Sequence, residues 1–121
     1  MADLDDLFAQ LRQMLARHAS SLVTVRDEPG DLQMETSRRS GSGTAMPFGA
    51  VHTHEDHVSL QFMPVFSHAD LLTGVSAPLR ARMQGRTCFN FTPATASPEL
   101  LAELSELVDA GLARYRADRL A

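Results

Sequence analysis

Residues 21–37 read SLVTVRDEPGDLQMETS, and this stretch decides the fold class. Two runs in which apolar and polar residues alternate flank Glu28-Pro29-Gly30-Asp31, which has Pro and Gly at the central positions of a type II turn. Pairing Glu28 with Asp31 sets Asp27 opposite Leu32, Val25 opposite Met34 and Val23 opposite Thr36. Thr24, Arg26, Gln33 and Glu35 then share the other face. This register separates apolar from polar side chains, so the stretch predicts an antiparallel hairpin.

Toward the N-terminus, Leu4, Leu7, Phe8, Leu11, Met14, Leu15 and His18 recur every three or four residues, the signature of one apolar helix stripe. Asp3 suits its N-cap, and Asp5, Asp6 and Arg17 suit its dipole. On the other side of the hairpin, SRRSGSGT at 37–44 has the composition of a connecting loop; without a GK[ST] ending it makes a poor phosphate cradle. Residues 45–66 predict two more strands around a turn near Glu55-Asp56. The second alternates Val58, Leu60 and Phe62 against His57, Ser59 and Gln61 and ends at Pro64. Short helical turns are expected at 68–73 and 77–83, then a strand TCFNF at 87–91. Ser97-Pro98-Glu99 opens a final helix whose stripe is Leu100, Leu101, Leu104, Leu107, Val108, Leu112 and Tyr115. The expected fold is α+β, a two-layer sandwich of a mainly antiparallel sheet of about five strands with N- and C-terminal helices packed on it.

The chain has 121 residues, 44% of them hydrophobic and 21% charged, the size and composition of one globular domain over 1–121. The acidic start MADLDDLF is unlike a secretory signal, no apolar run approaches membrane-spanning length, and Cys88 is the single cysteine. A cytoplasmic protein is therefore expected, with no membrane partner. Net charge is −4, every basic residue is arginine, and neither half of the chain carries the basic excess that a phosphate backbone requires. No nucleic-acid partner is expected.

Residues 52–57 spell HTHEDH and resemble the H-x-H-x-D-H string of metallo-β-lactamase-like hydrolases, in which His and Asp hold zinc and activate water. Those enzymes draw further ligands from well downstream. This chain has no His after His68, and only 64 residues follow His57 (121 minus 57). A solvated hairpin tip is the plainest reading. Pairing His54 with His57 sets Thr53 opposite Val58 and His52 opposite Ser59, so that His52, His54 and His57 share one face and offer imidazoles to a transition metal ion such as iron or zinc.

Other candidates lie nearby. Arg80, Arg82 and Arg86 occupy a stretch without acids and, with Cys88 and Asn90 on the non-aromatic face of TCFNF, offer an anionic-ligand pocket; the alternative is surface arginines that cover a helix end. Cys88 beside Arg86 lacks an adjacent base and reads as a structural thiol. Met14 and Met34 read as core. Alternation places Phe48 and Met63 opposite Val58, Leu60 and Phe62, so that both faces of the sheet carry apolar groups near Met46, Phe48, Met63 and Phe66. A covering layer is then needed, either the short helices or a second copy in a homodimer.

The segments FGAV (48–51), HVSLQFMPVF (57–66), LRARMQGRTCFNF (79–91) and ELLAELSELVDAGLARY (99–115) together resemble the YdhG-like domain-of-unknown-function family. The order of parts is similar: a helix, a sheet whose middle hairpin reads H-V-x-L, a strand entered through a Gly-rich basic turn at Gln84-Gly85-Arg86, and a last helix. The chain departs from that pattern at 27–44 and in carrying HTHED where a basic turn is common. The resemblance implies a small binding domain, and some relatives are described as frataxin-like iron chaperones. The leading expectation is a non-enzymatic binding or interaction domain for a small ligand or a protein, with Met46, Phe48 and Met63 contributing. Metal handling by the three histidines is the alternative, and the hydrolase a distant third.

Overall fold

A computed structural model describes residues 3–39 and 45–117, with side chains from Asp3 to Thr36 and from Pro47 to Ala117. Helix α1 (Leu4–Ala16) starts where expected, because the Asp3 carboxylate accepts the Asp6 N–H at 2.8 Å. Strands β1 (Leu22–Glu28) and β2 (Asp31–Arg39) meet at Pro29-Gly30, where Gly30 takes φ +75°, a conformation that Gly adopts without the Cβ penalty. Then come β3 (Ala45–Thr53), β4 (Val58–Phe62), the short helices α2 (Pro64–Ser67) and α3 (Ala77–Arg80) with a 3₁₀ turn at Ala69–Leu72 between them, β5 (Met83–Gln84) and β6 (Cys88–Phe91). Helix α4 (Pro98–Ala117) closes the chain; the Ser97 hydroxyl accepts the Leu100 N–H at 3.2 Å, with Pro98 in the first turn where no N–H is required.

The fold is α+β. One antiparallel sheet of six strands, in the order β1-β2-β3-β4-β6-β5, carries both long helices on the same face. The additional strand over the expected five is β5, two residues long and too short to show a period. Leu15 of α1 lies against Gly49 of β3. At Gly111 of α4 a Cβ would overlap the Phe62 ring, so the helix backbone approaches β4 closely only because no side chain intervenes. Between these layers lie Leu7, Leu11, Leu15, Leu32, Met34, Val51, Leu60, Phe62, Phe89, Phe91, Leu104 and Leu112, all essentially inaccessible to water.

Three expectations need correction. Val25 does not face Met34, nor Val23 Thr36. Asp27 and Leu32 do pair, but a bulge between Thr24 and Arg26 leaves Val25 unpaired and sets Thr24 opposite Met34, Leu22 opposite Thr36 and Val23 opposite Glu35. Val23 and Val25 are consequently 47% and 50% exposed on the edge strand. The polar stretch at 37–44 is not all loop, since β2 continues to Arg39, which pairs with Ala45; residues 40–44 lie outside the described residues. Finally, Phe48 does not lie on a second apolar face. Met34 pairs with Gly49 and Glu35 with Pro47, so Phe48 is the extra residue of a second bulge, and it turns into the core. It is fully buried there, edge-to-face with Phe62 (5.4 Å) and with Tyr115 (5.9 Å). The side chain of Met46 lies outside the described residues. The apolar second face that called for a covering layer near Phe48 is therefore not formed.

The face away from the helices is polar. One row across it runs Asp31, His52, Ser59 and Asn90, and the next runs Gln33, Ala50, Gln61, Cys88 and Gln84. Every one of these residues is partly or fully exposed. Among the described residues no helix is long and apolar enough to cross a membrane.

Candidate functional site

The β3–β4 turn has the register expected of it. Thr53 pairs with Val58, His52 with Ser59, and the His54 N–H donates to the His57 carbonyl at 2.7 Å. This brings His52, His54 and His57 onto one face, with ring centroids 4.8 Å apart for His52 and His54 and 4.4 Å for His54 and His57. The latter two rings are stacked, 15° from parallel. One nitrogen of each ring has a neighbour outside the cluster: His54 Nε2 lies 3.0 Å from the Ser59 hydroxyl, His57 Nδ1 2.7 Å from Asp56, and His52 Nδ1 3.7 Å from Asp31. Among the described residues no group of three or more His, Cys, Asp or Glu side chains is placed to hold a metal ion. The stack favours neutral imidazole at its centre. Loss of water around His54 lowers its pKa most, the charges of His57 and His52 lower it further, and Asp56 opposes them.

The arginine-rich junction divides where the sequence suggested a single pocket. The chain leaves β4 through α2, passes along α4 and returns at the sheet edge as the β5–β6 hairpin, turned at Gly85 with φ +73°. Glu103 of α4 anchors this excursion by accepting the Ser76 N–H at 2.7 Å and its hydroxyl at 2.6 Å, while Ser76 in turn caps α3. Arg80 and Arg86 fall on one side of the hairpin, at a groove of about 310 Å³ whose wall includes Val65, Phe66, Leu72 and Met83. Arg82 falls on the other side with Asn90 and His57, at a recess of about 250 Å³.

These three arginines differ from the others described. Arg12 binds Asp27 through two hydrogen bonds of 3.1 and 2.6 Å, Arg26 meets Asp31 at 3.0 Å, Arg114 meets Asp70 at 2.6 Å, Arg17 holds Asp109 and Ser105, and Arg116 holds Ser21. Among the described residues, Arg80, Arg82 and Arg86 have no such partner. Two unpartnered guanidinium groups thus edge an apolar groove, on whose wall Phe66 is 57% exposed. A larger depression of about 370 Å³ between α1 and α4 contains only Arg17 as a cation, and that side chain is already held.

The remaining candidates disperse. Phe48 is core. Met63 is half-buried at the start of α2, where its N–H donates to the Phe48 carbonyl at 3.0 Å and its sulfur receives the Gln61 amide at 3.6 Å. Cys88 sits half-exposed between Gln61 and Gln84 on the polar face. Sequence reasoning missed the apolar wall of the groove. Its available signal was Phe66, which the pattern grouped with an apolar second sheet face and which the structure places on the groove wall. Compared with protein-family models, with curated proteins and with solved structures, this chain matches none.

Proposed function

We propose that this chain is a binding domain for a small amphiphilic anion, held in the groove between α2 and the β5–β6 hairpin. The observation that supports it is the pairing of Arg80 and Arg86, both without acidic partners among the described residues, with an apolar wall of Val65, Phe66, Leu72 and Met83. A concave, mainly apolar site with a few charged groups is the usual form of a small-ligand pocket, and a guanidinium fork matches a carboxylate or phosphate. The groove's volume of about 310 Å³ suits a ligand at the small end of that range. Octanoate, octanol and octylamine, titrated by calorimetry, separate the contributions. Octanoate is expected to bind, octanol more weakly and octylamine not at all. Arg80→Ala with Arg86→Ala should weaken octanoate by roughly tenfold or more, since a hydrogen bond to a charged group is worth about 1.5–3 kcal/mol. Equal binding of all three probes, or no loss in the double variant, would refute the reading.

A second reading, metal handling, draws support from the shared face of His52, His54 and His57 and from the YdhG-like resemblance. It requires the stacked rings to separate, since cross-strand imidazoles must turn their nitrogens toward one ion. Untagged protein titrated with Zn²⁺ or Fe²⁺ should then bind one ion per chain and lose it in a His52→Ala, His54→Ala double variant. Unchanged stoichiometry in that variant excludes it.

A further inference from the structure

The recess on the far side of the β5–β6 hairpin has a different chemistry from the groove. It opens where the β3–β4 turn meets the loop between β6 and α4, and its lining consists of Asp56, His57, Arg82, Asn90, Phe91, Thr92 and Thr95. Apart from Phe91, every one of these side chains is polar or charged, whereas the groove has four large apolar side chains on its wall.

Its framework is held in place. The Asn90 N–H donates to the Arg82 carbonyl at 2.8 Å, which locks the two main chains side by side. The Asn90 amide nitrogen donates to the Gln84 side-chain carbonyl at 2.6 Å, which orients the amide and leaves its second N–H uncommitted. Thr92 and Thr95 brace their loop reciprocally: the Thr95 hydroxyl accepts the Thr92 N–H at 2.8 Å, and the Thr92 hydroxyl accepts the Thr95 N–H at 3.3 Å. The single acid in the lining, Asp56, is hydrogen-bonded to His57 Nδ1 at 2.7 Å. Arg82 has no partner of its own among the described residues, in a chain where acids outnumber bases.

We propose that this recess is a second anion site, which takes a phosphoryl group through the Arg82 guanidinium and the Asn90 amide. The planar fork of Arg is suited to two phosphate oxygens, and an amide N–H can donate to a third. This assignment does not rest on the groove, and separate residues test the two.

The experiment is a titration of the full chain by ¹H–¹⁵N NMR with inorganic phosphate and with phenyl phosphate, at constant ionic strength set by chloride. Saturable shifts are expected at the Arg82 Nε–H and at the Asn90 side-chain amide. Arg82→Ala and Asn90→Ala should each weaken binding by about tenfold, and Arg82→Lys, which keeps the charge without the fork, by less. The Arg80→Ala, Arg86→Ala variant should bind phosphate as the parent does. Tighter binding of phenyl phosphate assigns the site to a monoester, and equal binding assigns it to the free ion. Shifts that do not saturate, or an Arg82→Ala protein of unchanged far-UV spectrum that binds like the parent, overturn the proposal.

Discussion

At the scale of single residues, position on the ladder outweighs residue type. Phe48 stands at a bulge and joins Phe62 and Tyr115 in the core, whereas unbroken alternation would leave it on the face opposite Phe62. Phe48→Ala should therefore destabilise by about 3–5 kcal/mol in urea unfolding, as for a buried ring; a loss within ±0.5 kcal/mol would put it back on the surface. His54 offers a test with a definite sign. Its pKa is lowered below the reference of 6.5 in the folded chain, so the unfolded chain takes up the proton first as pH falls. Its contribution is complete above about pH 6.5 and is lost as pH falls from there through the folded value. Melting temperature should accordingly fall less steeply between pH 7 and 5, roughly the window of histidine titration, in His54→Gln than in the parent.

At the scale of elements, side-chain bridges hold the helices and excursions to the sheet. Arg12 and Asp27 join α1 to β1, Arg17 and His18 reach Asp109 of α4, and Arg114 reaches Asp70. Each of these is exposed, and the guanidinium of Arg12 holds the Asp27 carboxyl below its ordinary value through hydrogen bonding. Glu103 differs, because it accepts two partly buried donors from Ser76 and so ties the start of α3 to α4. Glu103→Ala removes a charged acceptor from the partly buried Ser76 N–H and hydroxyl, and a cost of about 1.5–3 kcal/mol follows, as for hydrogen bonds to a charged group. Hydrogen exchange should accelerate selectively across 69–86, where the groove lies, while β2 and β3 keep their protection. Uniform acceleration across the sheet would deny Glu103 this local role.

For the whole molecule, one core joins sheet and helices, and Tyr115 reports on it. The chain contains a single tyrosine and no tryptophan, so its phenol absorbance is unmixed. Burial raises the pKa of Tyr115 above the ordinary 10, with a hydrogen bond to Ser67 acting in the opposite direction. The unfolded chain therefore releases this proton first on the alkaline side. Stability from Tyr115 is complete below about pH 10 and is lost as pH rises through the folded value. Phenolate absorbance should rise together with loss of the far-UV signal, as one cooperative transition. Phenolate formation well before unfolding would show that the core around Phe48 and Phe62 admits water.

Local physics made part of this legible in the chain. Caps and stripes determine α1 and α4, Pro29-Gly30 determines the first turn, and the separation of His54 from His57 determines the register of β3 on β4, because each depends on residues close in sequence. Tertiary structure decided the rest. Alternation assumes a continuous ladder, so it could not locate the bulges at Val25 and Phe48, which depend on how three strands pack under α1 and α4. The two residues of β5 carry no period at all. Arg80, Arg82 and Arg86 look equivalent in sequence, yet the path of the β5–β6 hairpin places Arg82 on one side and the other two on the opposite side. The apolar groove and the polar recess exist only because segments about 20 to 40 residues apart are brought together across the sheet edge, a placement that no local pattern encodes.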